Sequence, residues 1–181
     1  MTTLLISRCL LGVPCRYDGQ SKPVELGMLE LVASNCAMEL DFVDICPESD
    51  GGLTAPRAPS EIEPGASGED VLNGGALVRD KAGVDRTEAF VRGAQLACAK
   101  AREKSTRFAL LKAKSPSCGV HAIYDGTFSG RLTCGRGVAA AALQAMGVQC
   151  FDETELGALA ALLQTEALNT ANADGKADSL K

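Results

Sequence analysis

The sequence predicts an α/β fold with a mainly parallel sheet. Four apolar runs have the length of buried strands, at residues 3–6, 42–45, 108–111 and 148–151. Helical patterns alternate with them, over residues 24–34, 87–104, 138–146 and 153–168. Strands that alternate with helices form βαβ crossovers, and these crossovers make neighbouring strands parallel.

A cap and an apolar stripe mark the helix that follows residue 86. Asp85 or Thr87 can cap its start, and its stripe consists of Phe90, Val91, Ala94, Ala97 and Cys98. Residues 76–84 predict a small hairpin, and the Gly-, Pro- and Ser-rich segment 49–70 predicts a loop. We therefore expect an alternating α/β chain with a small hairpin insertion.

Length and charge limit the organisation and the partners of the chain. A chain of 181 residues suggests one α/β domain, which we place at residues 1–168, before a polar tail at 169–181 that we expect to be disordered. The formal net charge of −5 gives the bulk surface no affinity for nucleic acid. Neither a signal peptide nor an apolar run of about 18 residues is apparent. We expect a cytoplasmic protein without membrane or nucleic-acid partners, and its oligomeric state stays open.

The cysteine content is unusual for that compartment. The eight residues are Cys9, Cys15, Cys36, Cys46, Cys98, Cys118, Cys134 and Cys150. Reducing conditions disfavour a disulfide framework, which leaves a metal or cluster site, a catalytic thiolate, or simple burial. Because His121 is the single histidine, a His-rich zinc or copper site within one chain is excluded.

Three of the cysteines follow predicted strands. Cys9 follows the first strand, Cys46 the second, and Cys118 lies in the turn after residues 108–111. The carboxyl ends of parallel strands share one edge, where open α/β folds bind ligands, so we expect these thiols to converge. Three thiolates could hold three corners of a [4Fe–4S] cube and leave one iron open, or bind zinc together with a water. They could also be unrelated buried thiols.

The remaining cysteines have less specific positions. Cys36, Cys98 and Cys150 follow or occupy predicted helices and strands, so we expect small buried hydrophobic side chains. Cys15 and Cys134 lie in predicted loops, and their roles stay open.

Polar residues beside these cysteines are candidates for catalysis. Glu48 follows Cys46 by two residues and could donate a proton, although it could also be a solvated loop acid. Ser115 and Ser117 flank Pro116, and either could orient a polar substrate or cap the turn. A Cys118 nucleophile would need a base, and His121 need not face the thiol.

Weaker candidates for substrate binding lie in two loops. Gly51 and Gly52 could let the backbone approach a ligand, and Arg57 could hold an anion or a carbonyl oxygen. Arg16 and Tyr17 follow Cys9 and could close a pocket, or form a surface turn.

Taken together, the motifs of residues 4–155 resemble the DUF523 family. The matching segments are Cys9-Leu10-Leu11-Gly12, Arg16-Tyr17-Asp18-Gly19, Cys46-Pro47-Glu48, Gly51-Gly52-Leu53, Pro56-Arg57, Lys114-Ser115-Pro116-Ser117-Cys118-Gly119, Ile123-Tyr124-Asp125-Gly126-Thr127-Phe128 and Gly135-x-Gly137-Val138. Jointly these motifs are specific, whereas each alone is not.

The resemblance implies a cofactor, a fold and an activity, because the family includes thiouracil desulfidases. It implies a three-layer, Rossmann-like domain with an oxygen-sensitive [4Fe–4S] cluster held by Cys9, Cys46 and Cys118. One open iron would take sulfur from a small thiolated pyrimidine, giving uracil and sulfide, with Glu48 and Ser115 as catalytic residues. The alternatives are a non-catalytic cluster- or zinc-binding module that handles sulfur, and an enzyme that uses a Cys118 thiolate.

Overall fold

The computed structural model describes the backbone of residues 2–178 and the side chains of residues 2–169. The strands of this part are β1 (Thr2–Ser7), β2 (Leu40–Ile45), β3 (Ser60–Ile62), β4 (Val78–Asp80), β5 (Phe108–Leu111), β6 (Ala122–Tyr124), β7 (Leu132–Cys134) and β8 (Gln149–Asp152). The helices are α1 (Gly27–Asn35), α2 (Pro47–Asp50), α3 (Gly68–Leu72), α4 (Thr87–Glu103), α5 (Val138–Ala145) and α6 (Leu156–Asp178). Among the described residues, no helix is both long and apolar enough to cross a membrane.

The main sheet is parallel, as predicted. Its four strands have the order β2-β1-β5-β8. In β1 and β2 the paired residues run from Thr2 with Leu40 to Ser7 with Ile45, so both strands end at the same level. The pairing of Ile6 with Leu110 brings the end of β5 close to that level. The turns that follow these three strands therefore share one edge.

Helices cover both faces of the sheet, which confirms the three-layer prediction. Side chains of a strand alternate between its faces. Leu4 and Ile6 accordingly pack with Leu29 of α1 and Leu159 of α6. Leu5 lies between them in sequence and packs on the other face, in a cluster with residues of α4 and α5.

The small antiparallel sheets agree with the prediction only in part. The predicted hairpin is present, since Arg79 forms an antiparallel bridge with Asp85 across a short turn, and β4 also pairs with β3. The segment predicted as a loop, 49–70, contains β3 and the start of α3. Strands β6 and β7 form a second pair that was not predicted. Each of these strands has three residues, too few to show an alternating pattern.

The start of the first helix and the end of the last helix also differ from their predicted positions. α1 begins at Gly27 rather than residue 24, because the amides of Lys22 and Val24 bond to the carbonyl groups of Cys9 and Leu10 instead. α6 continues to Asp178, through most of the segment predicted as a disordered tail. Residues 179–181 and the side chains of residues 170–178 lie outside the described part.

Candidate functional site

A cavity of about 560 Å³ opens at the carboxyl edge of the main sheet. The part of its lining that we call the thiol edge consists of Cys9, Cys15, Cys46 and Cys118. A second part, the small-sheet wall, comes from the two antiparallel sheets and their loops, and consists of Ser60, Glu61, Lys81, Tyr124, Phe128 and Gly130. The remaining lining includes Glu48 and Ser115.

The thiol edge brings together the three cysteines that were expected to converge. Cys9 lies in a 3-10 turn (Arg8–Leu11) directly after β1, and Cys46 follows the last residue of β2. All three are buried, with 5–9 % of their surface exposed. Cys15 joins them, since its thiol interacts with the thiols of both Cys46 and Cys9. Its loop position left the role of Cys15 open in the sequence.

The chemistry of these side chains limits the kinds of group that the site could hold. Three thiolates could bind a zinc ion together with a water. A set of thiolates is also the usual ligand set of iron–sulfur clusters.

The thiols of Cys118 and Cys46 are poor nucleophiles in this environment. Burial raises the pKa of the Cys118 thiol to about 12. The interaction with Cys15, followed by burial, raises the pKa of the Cys46 thiol. His121 offers no base, because it is exposed, pairs with Glu155 at 2.7 Å and does not line the cavity. Bound metal would stabilise the thiolates, whereas nucleophilic use of Cys118 has no support here.

The Ser-Pro-Ser-Cys turn gives its two serines different roles. The Ser115 hydroxyl accepts the backbone N–H groups of Ser117 and Cys118, both at 3.1 Å. With both lone pairs engaged, this hydroxyl can only donate to a further group in the cavity. Ser117 is 1 % exposed, its hydroxyl has no partner among the described residues, and it does not line the cavity. This position gives no support to Ser117 as a substrate-binding residue.

Helix α5 holds this turn in place. Its first amides bond to the turn, Val138 N to the Pro116 oxygen at 2.8 Å and Ala139 N to the Ser117 oxygen at 2.9 Å. Gly137 allows the approach, since a Cβ atom there would lie 2.4 Å from the carbonyl carbon of Ser117. The Gly135-x-Gly137 motif thus supports the position of Cys118.

Glu48 forms an ion pair with Arg57. Both Nε and a terminal nitrogen of Arg57 donate to one carboxylate oxygen, at 2.9 and 2.7 Å. Arg57 also donates to the carbonyl oxygens of Thr54 and Cys15. Arg57 therefore fixes the position of the Glu48 carboxylate beside the cavity. Arg57 acts on Glu48, a role that the sequence did not reveal.

Gly51 and Gly52, which were expected to let the backbone approach a ligand, do not line the cavity. A Cβ atom at Gly51 would lie 2.1 Å from the Ala89 carbonyl oxygen of α4. At Gly52, which has a φ of +100°, it would lie 2.4 Å from the Arg92 guanidinium. These glycines instead allow α2, which carries Glu48, to dock on α4.

Arg16 and Tyr17 both line the cavity, as predicted for a closing loop. Arg16 pairs with Asp18 at 3.0 Å, and Tyr17 is 43 % exposed, on the solvent side. Arg8, which was not predicted, pairs with Asp44 and Asp50.

Asp50 also accepts the backbone N–H of Cys46 at 3.1 Å. This network links the turn that carries Cys9 to the turn that carries Cys46.

The other cysteines lie outside the cavity lining. Cys98 and Cys150 are buried in the core, as predicted, whereas Cys36 is only half-buried and Cys134 is exposed. The sequence did not identify the small-sheet wall as part of the cavity. Tyr124 and Phe128 belong to a segment that matches the family, but a short motif does not reveal what it faces.

Comparisons with known proteins agree with this geometry. Residues 4–155 match the model of the 2-thiouracil desulfurase family. The chain is 43 % identical over 153 residues to the uncharacterized protein YbbK of Bacillus subtilis (strain 168), covering 84 % of this chain and 97 % of that protein. It is 39 % identical to a solved structure of the [4Fe–4S]-dependent thiouracil desulfidase TudS, with a TM-score of 0.77, covering 91 % of this chain and 99 % of that one. The chain belongs to the 2-thiouracil desulfurase family.

Proposed function

We propose that this protein is an iron–sulfur-dependent desulfidase that removes sulfur from a thiolated uracil, giving uracil and sulfide. The observation that carries the proposal is the convergence of Cys9, Cys46 and Cys118 in one cavity of a chain from this family. The cavity volume of about 560 Å³ lies within the usual range for small-molecule sites. Eight free thiols suit a reducing compartment, so we place the reaction in the cytoplasm.

The three thiolates would hold a [4Fe–4S] cluster and leave one iron without a protein ligand. Thiolates are the ligands such clusters use, and the chain is 39 % identical to a solved [4Fe–4S]-dependent thiouracil desulfidase. When bound, the cluster supplies a soft Lewis acid for the thiocarbonyl sulfur of the substrate.

Glu48 and Ser115 would carry out the proton chemistry and the orientation of the substrate. Glu48, held in position by Arg57, takes a proton from the water that attacks the thiocarbonyl carbon. Ser115, whose hydroxyl can only donate, holds a polar atom of the ring in place. The net reaction exchanges one sulfur for one oxygen: thiouracil and water give uracil and hydrogen sulfide.

Anaerobic reconstitution with iron and sulfide tests this proposal. A single cubane predicts brown protein with about four irons per chain, and release of sulfide from 2-thiouracil by that protein. Brown protein that releases no sulfide would instead indicate a non-catalytic cluster module. Colourless protein would reject both interpretations. Cys98→Ala is the matched control, because Cys98 is buried like the proposed ligands but lies outside the cavity lining.

A further inference from the structure

Glu61 is a buried carboxyl group that the proposed reaction does not use. It lies in β3, is 8 % exposed, and lines the cavity as part of the small-sheet wall. One carboxylate oxygen accepts the backbone N–H of Phe128 at 3.0 Å. No ion pair to Glu61 forms within the part of the chain whose side chains are described. Arg79, its neighbour across the strand pair, binds Glu63 instead.

This arrangement leaves an acceptor without a donor. The second oxygen of Glu61 receives no hydrogen bond from a described residue, and the residue borders the cavity. That oxygen is not one of the fully buried side-chain atoms without a partner, so it is open to the cavity. A ligand that shields it from water must supply a donor, since an unsatisfied buried acceptor is costly.

The loop around Phe128 supports the same interpretation. Phe128 has a φ of +54°, a conformation that is rare for a bulky side chain and needs support from its surroundings. The bond from its amide to Glu61 helps to hold that backbone. Glu61 therefore connects strand β3 to an aromatic residue that also lines the cavity.

We propose that Glu61 determines substrate specificity by accepting a hydrogen bond from a neutral donor of the substrate. This inference rests on the proposed function, and it concerns recognition rather than chemistry. The donor is a ring N–H of a pyrimidine base or a ribose hydroxyl of a nucleoside, because both are neutral donors that a carboxylate accepts. A substrate that lacks such a donor would leave the buried carboxylate unpaired and bind weakly.

Calorimetric binding of uracil and uridine to reconstituted Glu61→Gln tests the proposal. The glutamine can keep the bond to Phe128, but it turns an NH₂ group toward the cavity in place of an acceptor. If the donor is a ring N–H, we expect the Kd values of uracil and uridine to rise about tenfold to hundredfold, as for the loss of a hydrogen bond to a charged group. If the donor is a ribose hydroxyl, only the Kd of uridine should rise by this factor. Iron content should stay that of the wild type. Glu63→Gln, the same change outside the cavity lining, should leave both Kd values within about twofold.

Methylated and deoxygenated ligands keep the proposal testable even if the variant does not fold. If the donor is a ring N–H, the wild type should bind 1-methyluracil or 3-methyluracil about tenfold more weakly than uracil. If the donor is a hydroxyl, it should bind 2′,3′-dideoxyuridine about tenfold more weakly than uridine. In Glu61→Gln, the modified ligands should bind almost as tightly as their parent ligands, because the hydrogen bond to Glu61 is already lost.

The inference would be overturned if Glu61→Gln and the wild type bound uracil and uridine with equal Kd values. It would also be overturned if the wild type bound the modified ligands as tightly as uracil and uridine. Absence of sulfide release by the wild type would instead count against the proposed function.

Discussion

The thiol edge and the small-sheet wall line the same cavity but are built in different ways. The thiol edge follows the ends of strands that share one register, so sheet topology alone brings Cys9, Cys46 and Cys118 together. The small-sheet wall rests on strands of three residues and on single bonds such as that from Phe128 to Glu61. On the proposed function, the sheet would fix the cluster ligands, whereas the short strands and loops would select the substrate.

Loss of a thiol should have the largest effect on iron content and activity. It tests whether the cofactor is bound at the thiol edge. Cys9→Ala, Cys46→Ala and Cys118→Ala should each lower iron from about four per chain to a small fraction of that, because two thiolates cannot hold a stable cubane. Sulfide release should then be undetectable. Iron analysis after desalting measures this, with Cys98→Ala retaining its iron. If Cys98→Ala also loses its iron, the assignment of the ligands is wrong.

Glu48→Gln, a substitution beside the thiol edge, should reduce catalysis without changing cofactor binding. Removing the proton acceptor should slow sulfide release about 10²- to 10⁴-fold, while the iron content stays unchanged. Single-turnover kinetics with 2-thiouracil measure the rate. Glu30→Gln, on the exposed face of α1, is the control. A Glu48→Gln variant with the wild-type rate would remove Glu48 from the mechanism.

The two serines of the Ser115-Pro116-Ser117 turn provide a matched pair. Ser115→Ala should reduce kcat/KM about tenfold to hundredfold, because it removes a donor from the cavity and two bonds from the turn. Ser117→Ala should leave the activity unchanged and the protein equally or slightly more stable, since its buried hydroxyl has no partner in the described part. Thermal unfolding and kinetics together measure both effects. The reverse order of activities would contradict the placement of the turn.

Phe128→Ala should give the smallest effect and one that leaves the cluster intact. The half-buried ring lines the cavity, and its loss should raise KM by about threefold to tenfold, as expected for a stacking contact. Iron content and kcat should change little. Phe128→Tyr, which keeps the ring, should behave like the wild type. Loss of iron in Phe128→Ala would show that the small-sheet wall also supports the cofactor.

The sequence could predict most of the thiol edge but not the small-sheet wall. The convergence of Cys118 with Cys9 and Cys46 needed only strand order and the rule that parallel strands share an edge. The roles of Gly51 and Arg57 could not be predicted, because they depend on how α2 docks on α4 and on Glu48. Glu61 could not be recognised either, since a single apolar residue in Ser60–Ile62 gives no strand pattern.

Mössbauer spectroscopy of the reconstituted protein tests the central claim most directly. If Cys9, Cys46 and Cys118 hold the cluster and one iron lacks a protein ligand, about one quarter of the iron should change its signal when 2-thiouracil is added. The Cys15→Ala variant should give the same result. Four irons that all remain unchanged, or a response that depends on Cys15, would contradict the account, because the cluster would then have a fourth thiolate in place of an open site.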